Sequence, residues 1–306
     1  MAGAKVPIIC GPTAVGKTAV ALALAAHWPL EVISADSRQV YRHLDIGTAK
    51  PSPKELGRVR HHGLDLVDPG ERYSAGRFAR EAAGWIADIR ARDRLPVVVG
   101  GTGLYIRALA DGLFVEPDLD AARRAELQRW SAGLDAAELV RWAGRLDPAF
   151  RGGGRQRAAR AIEVALLTGR PLSYWQQAAR VGGAIAPWYV RLTVPRPVLH
   201  RRIQVRAEEM VQRGIIQEVA AVLADGSTAH SPGLDAIGMR EAVQYLHGKL
   251  TREEVAQTIA QSTRQYAKRQ ETWFRHQLGG PVLTLDATRG PEKVAQEIVA
   301  AWEARG

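Results

Sequence analysis

The chain has 306 residues, of which 46% are hydrophobic, so it can bury the core of one large α/β domain or two smaller ones. Its formal net charge of +10 favours a polyanionic partner such as nucleic acid, although a general bias towards Arg would give the same excess. The single cysteine, Cys10, excludes an intramolecular disulfide and indicates a reducing compartment. We see no secretory signal and no run near the ~20 apolar residues of a membrane helix, so we expect a cytoplasmic protein.

The first predicted elements are a strand over 6–10 and a helix over 19–26, with a glycine-rich loop between them. The loop reads GPTAVGKT and fits the phosphate-loop pattern of Gly, four residues and Gly-Lys-Ser/Thr. Its N–H groups and the helix N-terminus would bind phosphate oxygens, with Lys17 on the terminal phosphates and the Thr18 hydroxyl on Mg²⁺. The predicted ligand-binding residues are Gly11, Pro12, Thr13, Ala14, Val15, Gly16, Lys17 and Thr18.

Four further apolar runs, at 31–35, 95–99, 189–194 and 282–285, predict strands that alternate with helical segments. This alternation indicates an α/β fold: a parallel sheet of the P-loop NTPase type with helices on both faces. Ligands of such sheets lie at the carboxyl ends of the strands. The phosphate loop, Asp36-Ser37 and Gly101-Thr102 should therefore surround one crevice.

Asp36 follows the second predicted strand and faces the phosphate loop across that crevice. Its carboxylate can accept a proton from a nucleophile that attacks beside bound phosphates, although a magnesium ligand or a helix N-cap would also use an Asp here. Gln39 is suited to bidentate hydrogen bonding with an adenine edge. The strand before Thr102 ends without the acid common in ATP-hydrolysing relatives of this fold, which weakens a motor or switch function but leaves a small-molecule kinase open.

Between 111 and 183 the strand-like runs disappear, and helical stretches alternate with Gly and Pro. We predict an all-helical insertion over 111–183 within an α/β core formed by 1–110 and 184–306. Later in the chain, a helix that ends before Gly214 places Arg202 and Arg206 on one face. Another begins at the capping box of Thr251, and its segment 264–275 holds four cations, one acid and interleaved aromatic residues. That composition favours contact with the phosphate backbone of a nucleic acid, while an ordinary solvated face remains open.

Seven motifs, taken together, resemble those of the tRNA dimethylallyltransferase (isopentenyltransferase) family. They are GPTAVGKT at 11–18, DSRQVY at 36–41, IGTAKP at 46–51, GGTGLY at 100–105, RAIEV at 160–164, IGMRE at 237–241 and YAKRQETWFR at 266–275. The phosphate loop is shared by many families, whereas the whole set, in this order, is specific to this one.

The resemblance implies that a dimethylallyl group moves from dimethylallyl diphosphate to the exocyclic amino nitrogen of the adenine just 3′ of the anticodon in tRNA, with release of diphosphate. The phosphate loop would then hold an isoprenoid diphosphate rather than ATP, with Mg²⁺ at Thr18. The implied catalytic residues are Asp36 as general base, and Thr102 and Arg206 on the diphosphate. The implied partners are dimethylallyl diphosphate and a tRNA anticodon stem-loop, and we expect a monomer without membrane association.

The same resemblance maps a set of tRNA contacts onto the chain, with the helical insertion gripping the anticodon stem. Three positions differ from the family pattern: Gly154, where Asp is usual, Met239, where Tyr is usual, and Arg38, where variation is common. The expected tRNA contacts are Asp36, Ser37, Arg38, Gln39, Thr102, Arg124, Gln156, Arg157, Arg160, Asp235, Gly238, Arg240, Lys268, Arg269, Gln270, Trp273 and Arg275.

Three other functions remain open from the sequence. An enzyme that prenylates free adenine nucleotides would need no RNA-binding insertion, so 111–183 and the basic late helix count against it. A small-molecule kinase would bind ATP at the phosphate loop. A non-enzymatic RNA-binding module would have no use for Asp36 beside an intact phosphate loop.

Overall fold

The computed structural model describes residues 5–112, 119–178 and 183–304. The chain forms two compact units, one built from the segments up to Ala110 and from Ala184 onward, the other from Asp111–Gly183. Across the described ranges, no helix combines the length and apolar character needed to cross a bilayer.

The first unit is built on a sheet of six strands among its described residues. The strands are β1 Lys5–Cys10, β2 Leu30–Ser34, β3 His61–His62, β4 Leu95–Gly100, β5 Ala186–Thr193 and β6 Val282–Asp286. Their order in the sheet is β3-β2-β4-β1-β5-β6, and every neighbouring pair is parallel. The predicted parallel α/β fold is therefore confirmed.

The described residues also form helices in both units. They are α1 Lys17–Leu24, α2 Pro53–Leu56, α3 Ala75–Ala91, α4 Gly103–Asp111, α5 Ala121–Ala132, α6 Ala136–Leu146, α7 Arg155–Thr168, α8 Leu172–Ala178, α9 Arg196–Gln212, α10 Ile215–Ala224, α11 Met239–Leu246, α12 Arg252–His276 and α13 Pro291–Glu303. Five residues of β1 and all of β2 are buried. Successive strand residues point to opposite faces, so this burial requires cover on both sides of the sheet.

Long helix α12 begins at the predicted capping box. The Thr251 hydroxyl accepts from the N–H of Glu254, and the Glu254 carboxylate accepts from the N–H of Thr251 at 2.7 Å. This arrangement satisfies two N–H groups that the first turn of a helix leaves without partners. The helix packs against α9, so the two late helices singled out in the sequence lie side by side.

The second unit contains helices α5 to α8 in its described part. Leu139 and Ala143 of α6 pack against Ala158, Ala161 and Ile162 of α7, and all five are buried. This small core is separate from the large core around the sheet, and it gives α6 and α7 a shared apolar contact face.

Candidate active site

A cavity of about 680 Å³ lies at the carboxyl ends of the central strands. The phosphate loop forms one wall, α9 another, and residues 46–51, named here the IGTAKP loop, a third. The lining includes Thr13, Ala14, Val15, Gly16, Lys17, Thr18, Asp36, Gln39, Ile46, Thr48, Ala49, Lys50, Arg202, Arg206 and Arg213. The predicted base and the predicted diphosphate site therefore share one cavity.

The phosphate loop turns directly into α1. Gly16 is the N-cap residue, with φ 109° and ψ 19°, a left-handed conformation that glycine adopts without steric cost, and no side chain caps the helix. Gly11 has φ 145°, and a Cβ there would lie 2.6 Å from the carbonyl oxygen of Leu192. The residues of the first turn line the cavity, where the partial positive charge of the helix terminus favours anionic oxygens.

Lys17 lies in the first turn of α1, and its Nζ donates to the carbonyl oxygens of Gly11 at 3.0 Å and Pro12 at 2.8 Å. An ammonium has three donors, so these bonds fix its position and use two of them. Burial lowers the pKa of Lys17 to about 8, an effect that the nearby charge of Asp36 opposes. A bound anion would oppose it further, so diphosphate binding and protonation of Lys17 should favour each other.

Arg206 reaches the same cavity from α9. Burial lowers the pKa of its guanidinium, and the charge of Asp36 again acts in the opposite direction. On the preceding turn, Arg202 Nη1 donates to the carbonyl oxygen of Val15 at 2.9 Å and so fixes α9 against the phosphate loop. The cavity therefore holds two partly desolvated cations close to one carboxylate.

Asp36 lies in the turn after β2, and a hydrogen bond connects this turn to the turn after β4. Its Oδ1 accepts from the N–H of Arg38 at 2.9 Å, and the Oγ1 of Thr102 accepts from the N–H of Ser37 at 3.0 Å. Tyr266 of α12 hydrogen-bonds to Thr102, and burial raises the pKa of Tyr266 to about 12, so its hydroxyl stays neutral. The carboxylate is thus held in place by neighbours that carry no competing negative charge.

Mg²⁺, which the family resemblance implies, needs oxygen ligands near the phosphate loop. Among the described residues, no group of three or more His, Cys, Asp or Glu could hold an ion unaided. The hydroxyl-bearing Thr18 and the carboxylate-bearing Asp36 both line a small adjoining pocket of about 40 Å³. Magnesium commonly takes only one or two protein oxygens and completes its shell with waters and substrate phosphates. The residues present fit such an ion, with Thr18 as its protein ligand.

Glu218 of α10 organises the IGTAKP loop, although the sequence did not single it out. Its carboxylate accepts from the N–H groups of Asp45 at 2.7 Å, Ile46 at 2.7 Å and Gly47 at 3.0 Å. These partners lie 171 to 173 residues away in the sequence, so no local pattern could reveal them. One ionised side chain thereby fixes a cavity wall.

We predict that Glu218→Gln raises the KM for dimethylallyl diphosphate about tenfold and lowers the free energy of unfolding by about 1–3 kcal/mol, because hydrogen bonds to a charged group are lost. Steady-state kinetics and thermal unfolding measure the two effects. Glu208→Gln is the matched control, since Glu208 is exposed on α9. Wild-type values for the Glu218 variant would show that the three bonds do not fix the loop.

Gln39 is placed differently from the expected adenine contact. Its Oε1 accepts from the hydroxyl of Ser34 at 2.8 Å, and its Nε2 donates to the carbonyl oxygens of Thr48 at 3.3 Å and Ala49 at 3.1 Å. The amide therefore ties the end of β2 to the IGTAKP loop. Reading a base with this amide would require these bonds to break.

Gln270 and Gly238 also lie inside the protein rather than at its surface. Both are buried, and the N–H of Gly238 donates to the carboxylate of Glu241 at 2.7 Å. The side-chain amide of Gln270 is satisfied by backbone groups of Thr13 and Gly101. The tRNA contacts of these two residues stay predictions, and in this structure the Gln270 amide is already engaged by backbone groups.

The other expected contacts in the first unit are accessible. Ser37, Arg38 and Thr102 are partly buried, and Trp273 is partly buried on α12. Asp235, Arg240, Lys268, Arg269 and Arg275 are exposed.

The expected contacts in the insertion fall into two pairs. Arg124 Nε lies 3.1 Å from Glu163 Oε1, and Arg160 also contacts the carboxylate of Glu163, which is buried. Gln156 and Arg157, in the first turn of α7, are exposed. The first pair neutralises a buried charge, whereas the second pair is accessible to RNA.

Gly154, where the family usually has Asp, lies at the N-terminus of α7. Gly154 is the N-cap residue of α7, with φ −68° and ψ 169°, and no atom lies within 4 Å of the position of a Cβ. An Asp there would accept an N–H bond from the first turn and carry a favourable charge. The departure therefore removes a helix cap.

We expect Gly154→Asp to stabilise the protein by about 0.5–1 kcal/mol, seen as a rise in Tm, with tRNA affinity changed less than about twofold. The control is Gly133→Asp at the C-terminal end of α5. A carboxylate there finds no free N–H group to cap, and the partial negative charge of the helix C-terminus repels it. Equal stabilisation by both substitutions would contradict the capping explanation.

The second departure, Met239, is buried at the start of α11. Its Sδ and Cε lie 2.6 Å from the position that a Cβ would take at Gly47. Met239 therefore packs closely against the backbone of the IGTAKP loop. The difference at this position concerns the support of a cavity wall rather than an exposed RNA contact.

Known protein families match this chain over most of its length. A family model described as IPP transferase matches residues 39–277, and one described as Isopentenyl transferase matches residues 4–67. The chain belongs to the IPP transferase family. The resemblance inferred from the seven sequence motifs is thereby confirmed.

Individual relatives agree with this assignment. The chain is 45% identical to tRNA dimethylallyltransferase 1 of Syntrophotalea carbinolica over 87% of both chains, and 45% identical to tRNA dimethylallyltransferase of Halorhodospira halophila over 92% of this chain and 93% of that one. Among solved structures, the full-length tRNA isopentenylpyrophosphate transferase of Bacillus halodurans superposes with a TM-score of 0.71 at 35% identity, covering 98% and 97% of the two chains. A eukaryotic dimethylallyltransferase acting on tRNA gives a TM-score of 0.78 at 27% identity, covering 93% of this chain and 74% of that one.

Proposed function

We propose that this protein transfers the dimethylallyl group of dimethylallyl diphosphate to the exocyclic amino nitrogen of the adenine 3′-adjacent to the anticodon in tRNA, and releases diphosphate. The observation that carries the proposal is the shared cavity, in which an anion site made by the phosphate loop, Lys17 and Arg206 lies beside the carboxylate of Asp36. The names of its relatives, tRNA dimethylallyltransferases, support this pair of substrates.

The diphosphate would lie against the first turn of α1, where N–H groups and the helix dipole favour anionic oxygens. Lys17 and Arg206 would each supply a positive charge from a partly desolvated position. A magnesium ion held at Thr18 would supply further neutralisation of the diphosphate. Because the leaving group gains negative charge as its C–O bond breaks, the fixed charges of this chain stabilise the transition state more than the bound substrate.

The acceptor adenine would enter on the side of Asp36. As the amino nitrogen forms its bond to the first carbon of the dimethylallyl group, the carbon–oxygen bond breaks and diphosphate leaves with the electron pair. The proton lost by the amino group passes to the Asp36 carboxylate. An aromatic amino group is a weak nucleophile, so the turn held by Thr102 and Ser37 contributes by positioning the base against the reacting carbon.

The target adenine belongs to a stacked loop, so it must be flipped out before it reaches the cavity. The exposed cations Lys268, Arg269 and Arg275 of α12 are suited to the RNA backbone, whose contacts fix register rather than read sequence. In the insertion, exposed Gln156 and Arg157 would contact the anticodon stem. We also propose that the protein acts as a monomer, because one chain supplies both the anion site and the base.

Ligand-induced stabilisation separates this function from a kinase. Dimethylallyl diphosphate with Mg²⁺ should raise the Tm of the protein, since a ligand that binds only the folded state stabilises it, whereas ATP with Mg²⁺ should leave the Tm unchanged. A parallel transfer assay with adenosine monophosphate as acceptor should give no product. Stabilisation by ATP alone, or transfer to the monophosphate, would overturn the proposal in favour of the corresponding alternative.

A further inference from the structure

The side chain of Gln270 connects α12 to two backbone segments of the active site. Its Oε1 accepts from the N–H of Thr13 in the phosphate loop at 2.8 Å, and its Nε2 donates to the carbonyl oxygen of Gly101, just after β4, at 2.8 Å. Gln270 is only 6% exposed. In this interior position, both ends of the amide are engaged by the protein backbone.

This contact depends on a close approach between α12 and the turn that follows β4. A Cβ at Gly101 would lie 2.4 Å from Nε2 of Gln270, and a Cβ at Gly103 would lie 2.4 Å from the ring of Trp273. Glycine at these two positions therefore makes room for the helix. One turn earlier, Tyr266 hydrogen-bonds to Thr102 in the same turn.

Helix α12 consequently carries two functional faces. Its outer face exposes Lys268, Arg269 and Arg275, which the proposed function assigns to the RNA backbone. Its inner face bonds to the phosphate loop through Gln270 and to Thr102 through Tyr266.

We propose that Gln270 is a positioning residue that holds the phosphate loop on the tRNA-binding helix, and that it acts on diphosphate binding rather than on RNA contact. This inference rests on the proposed function. The bond to the N–H of Thr13 fixes the first half of the loop, and the rest of the loop and the first turn of α1 line the cavity. Without that bond the loop keeps its contacts with Lys17 and Arg202 but loses its connection to α12, while the outer cations of α12 remain.

The direct test replaces Gln270 by Met, which has a similar length but makes neither hydrogen bond. Leaving the N–H of Thr13 and the carbonyl of Gly101 without partners should raise the KM for dimethylallyl diphosphate at saturating tRNA about tenfold or more, because buried unsatisfied groups are costly. The inhibition constant of inorganic diphosphate should rise equally. The Kd for tRNA should change less than about twofold, since the exposed phosphate contacts are untouched.

Gln257→Met is the matched control, because Gln257 is exposed on the same helix. All three constants should keep their wild-type values in this variant. A second variant, Gln270→Glu, adds the pH dependence of the KM as a measurement. A purely structural role of Gln270 would not change this dependence. Protonated Glu can accept from Thr13 and donate to Gly101, as Gln does, whereas the carboxylate cannot donate.

The ratio of the KM of Gln270→Glu to the KM of wild type should therefore fall towards one as the pH is lowered from about 8.5 to about 6. Burial raises the pKa of a carboxyl group, so the introduced Glu takes up its proton in this range. Gln270→Met should show no such recovery. If Gln270→Met unfolds, the pH profile of Gln270→Glu decides alone.

Two results would overturn the inference. If Gln270→Met weakens tRNA binding tenfold but leaves the KM for dimethylallyl diphosphate and the inhibition constant of diphosphate unchanged, Gln270 is an RNA contact. If neither Gln270 variant changes any of these constants, Gln270 has no positioning role. Wild-type enzyme in the same assay tests the proposed function separately. If wild type fails to transfer, calorimetric titration of inorganic diphosphate into each variant still tests the link to the phosphate loop.

Discussion

Asp36→Asn should lower kcat for dimethylallyl transfer by about 10³-fold, within the range of about 10²–10⁴ that general acid–base catalysis contributes. Asn keeps an oxygen for the N–H of Arg38, which Asp36 Oδ1 binds at 2.9 Å, so the turn should survive. It cannot take the proton of the amino group. The Kd for tRNA should change less than about twofold, because phosphate contacts dominate RNA affinity.

The measurement should be made at about pH 7, because the charge of Asp36 also raises the pKa of Lys17, which burial lowers to about 8. Without the charge of Asp36, Lys17 would lose its proton more readily at higher pH. The loss of the general base could then not be separated from the loss of the Lys17 charge. Asp88→Asn, an exposed change on α3, is the control. Wild-type turnover in Asp36→Asn would exclude Asp36 as the base.

Lys17→Met should lower kcat/KM by about 10²–10³-fold, the loss typical of removing one group that stabilises developing charge. Wild type should also show a KM for dimethylallyl diphosphate that rises with pH above about 8, since burial places the pKa of Lys17 there and only its protonated form attracts the anion. The rise should approach tenfold per pH unit and should be absent in Lys17→Met.

As the pH rises, the lowered pKa of Lys17 weakens substrate binding, but the folded protein becomes more stable relative to the unfolded chain over the same pH range. Between about pH 8 and the ordinary lysine value of 10.5, the unfolded chain binds the proton and the folded protein does not, so the free energy of unfolding contributed by Lys17 rises with pH in that window. Lys249→Met, an exposed change, should alter neither profile. A pH-dependent KM that persists in Lys17→Met would assign the titration to another group.

Most of the fold could be predicted because its signals are local. Strands β1, β2, β4, β5 and β6 are apolar runs of five to eight residues, and α12 begins at a capping box contained within four residues. Strand β3 escaped prediction because it has two residues, His61 and His62, and exists only through its pairing with β2. No periodicity can mark so short an element.

The phosphate loop and Asp36 were predictable for the same reason, since each follows a strand whose apolar run is visible. The groups that position them were not predictable. Glu218 and Gln270 act on loops more than 150 residues away, through bonds that only the folded chain creates. The amide of Gln39 has the donors and acceptors of a base reader, and nothing in the sequence indicated that it also bonds within the protein; its contact with adenine stays a prediction.

The central claim is that one cavity joins an isoprenoid diphosphate to the adenine beside the anticodon. Its most direct test incubates the protein with Mg²⁺, radiolabelled dimethylallyl diphosphate and unmodified tRNA with adenine just 3′ of the anticodon, beside the same tRNA with guanine at that position. We predict label in the first tRNA and none in the second. Equal labelling of both, or label in neither while ATP is consumed, would contradict the account.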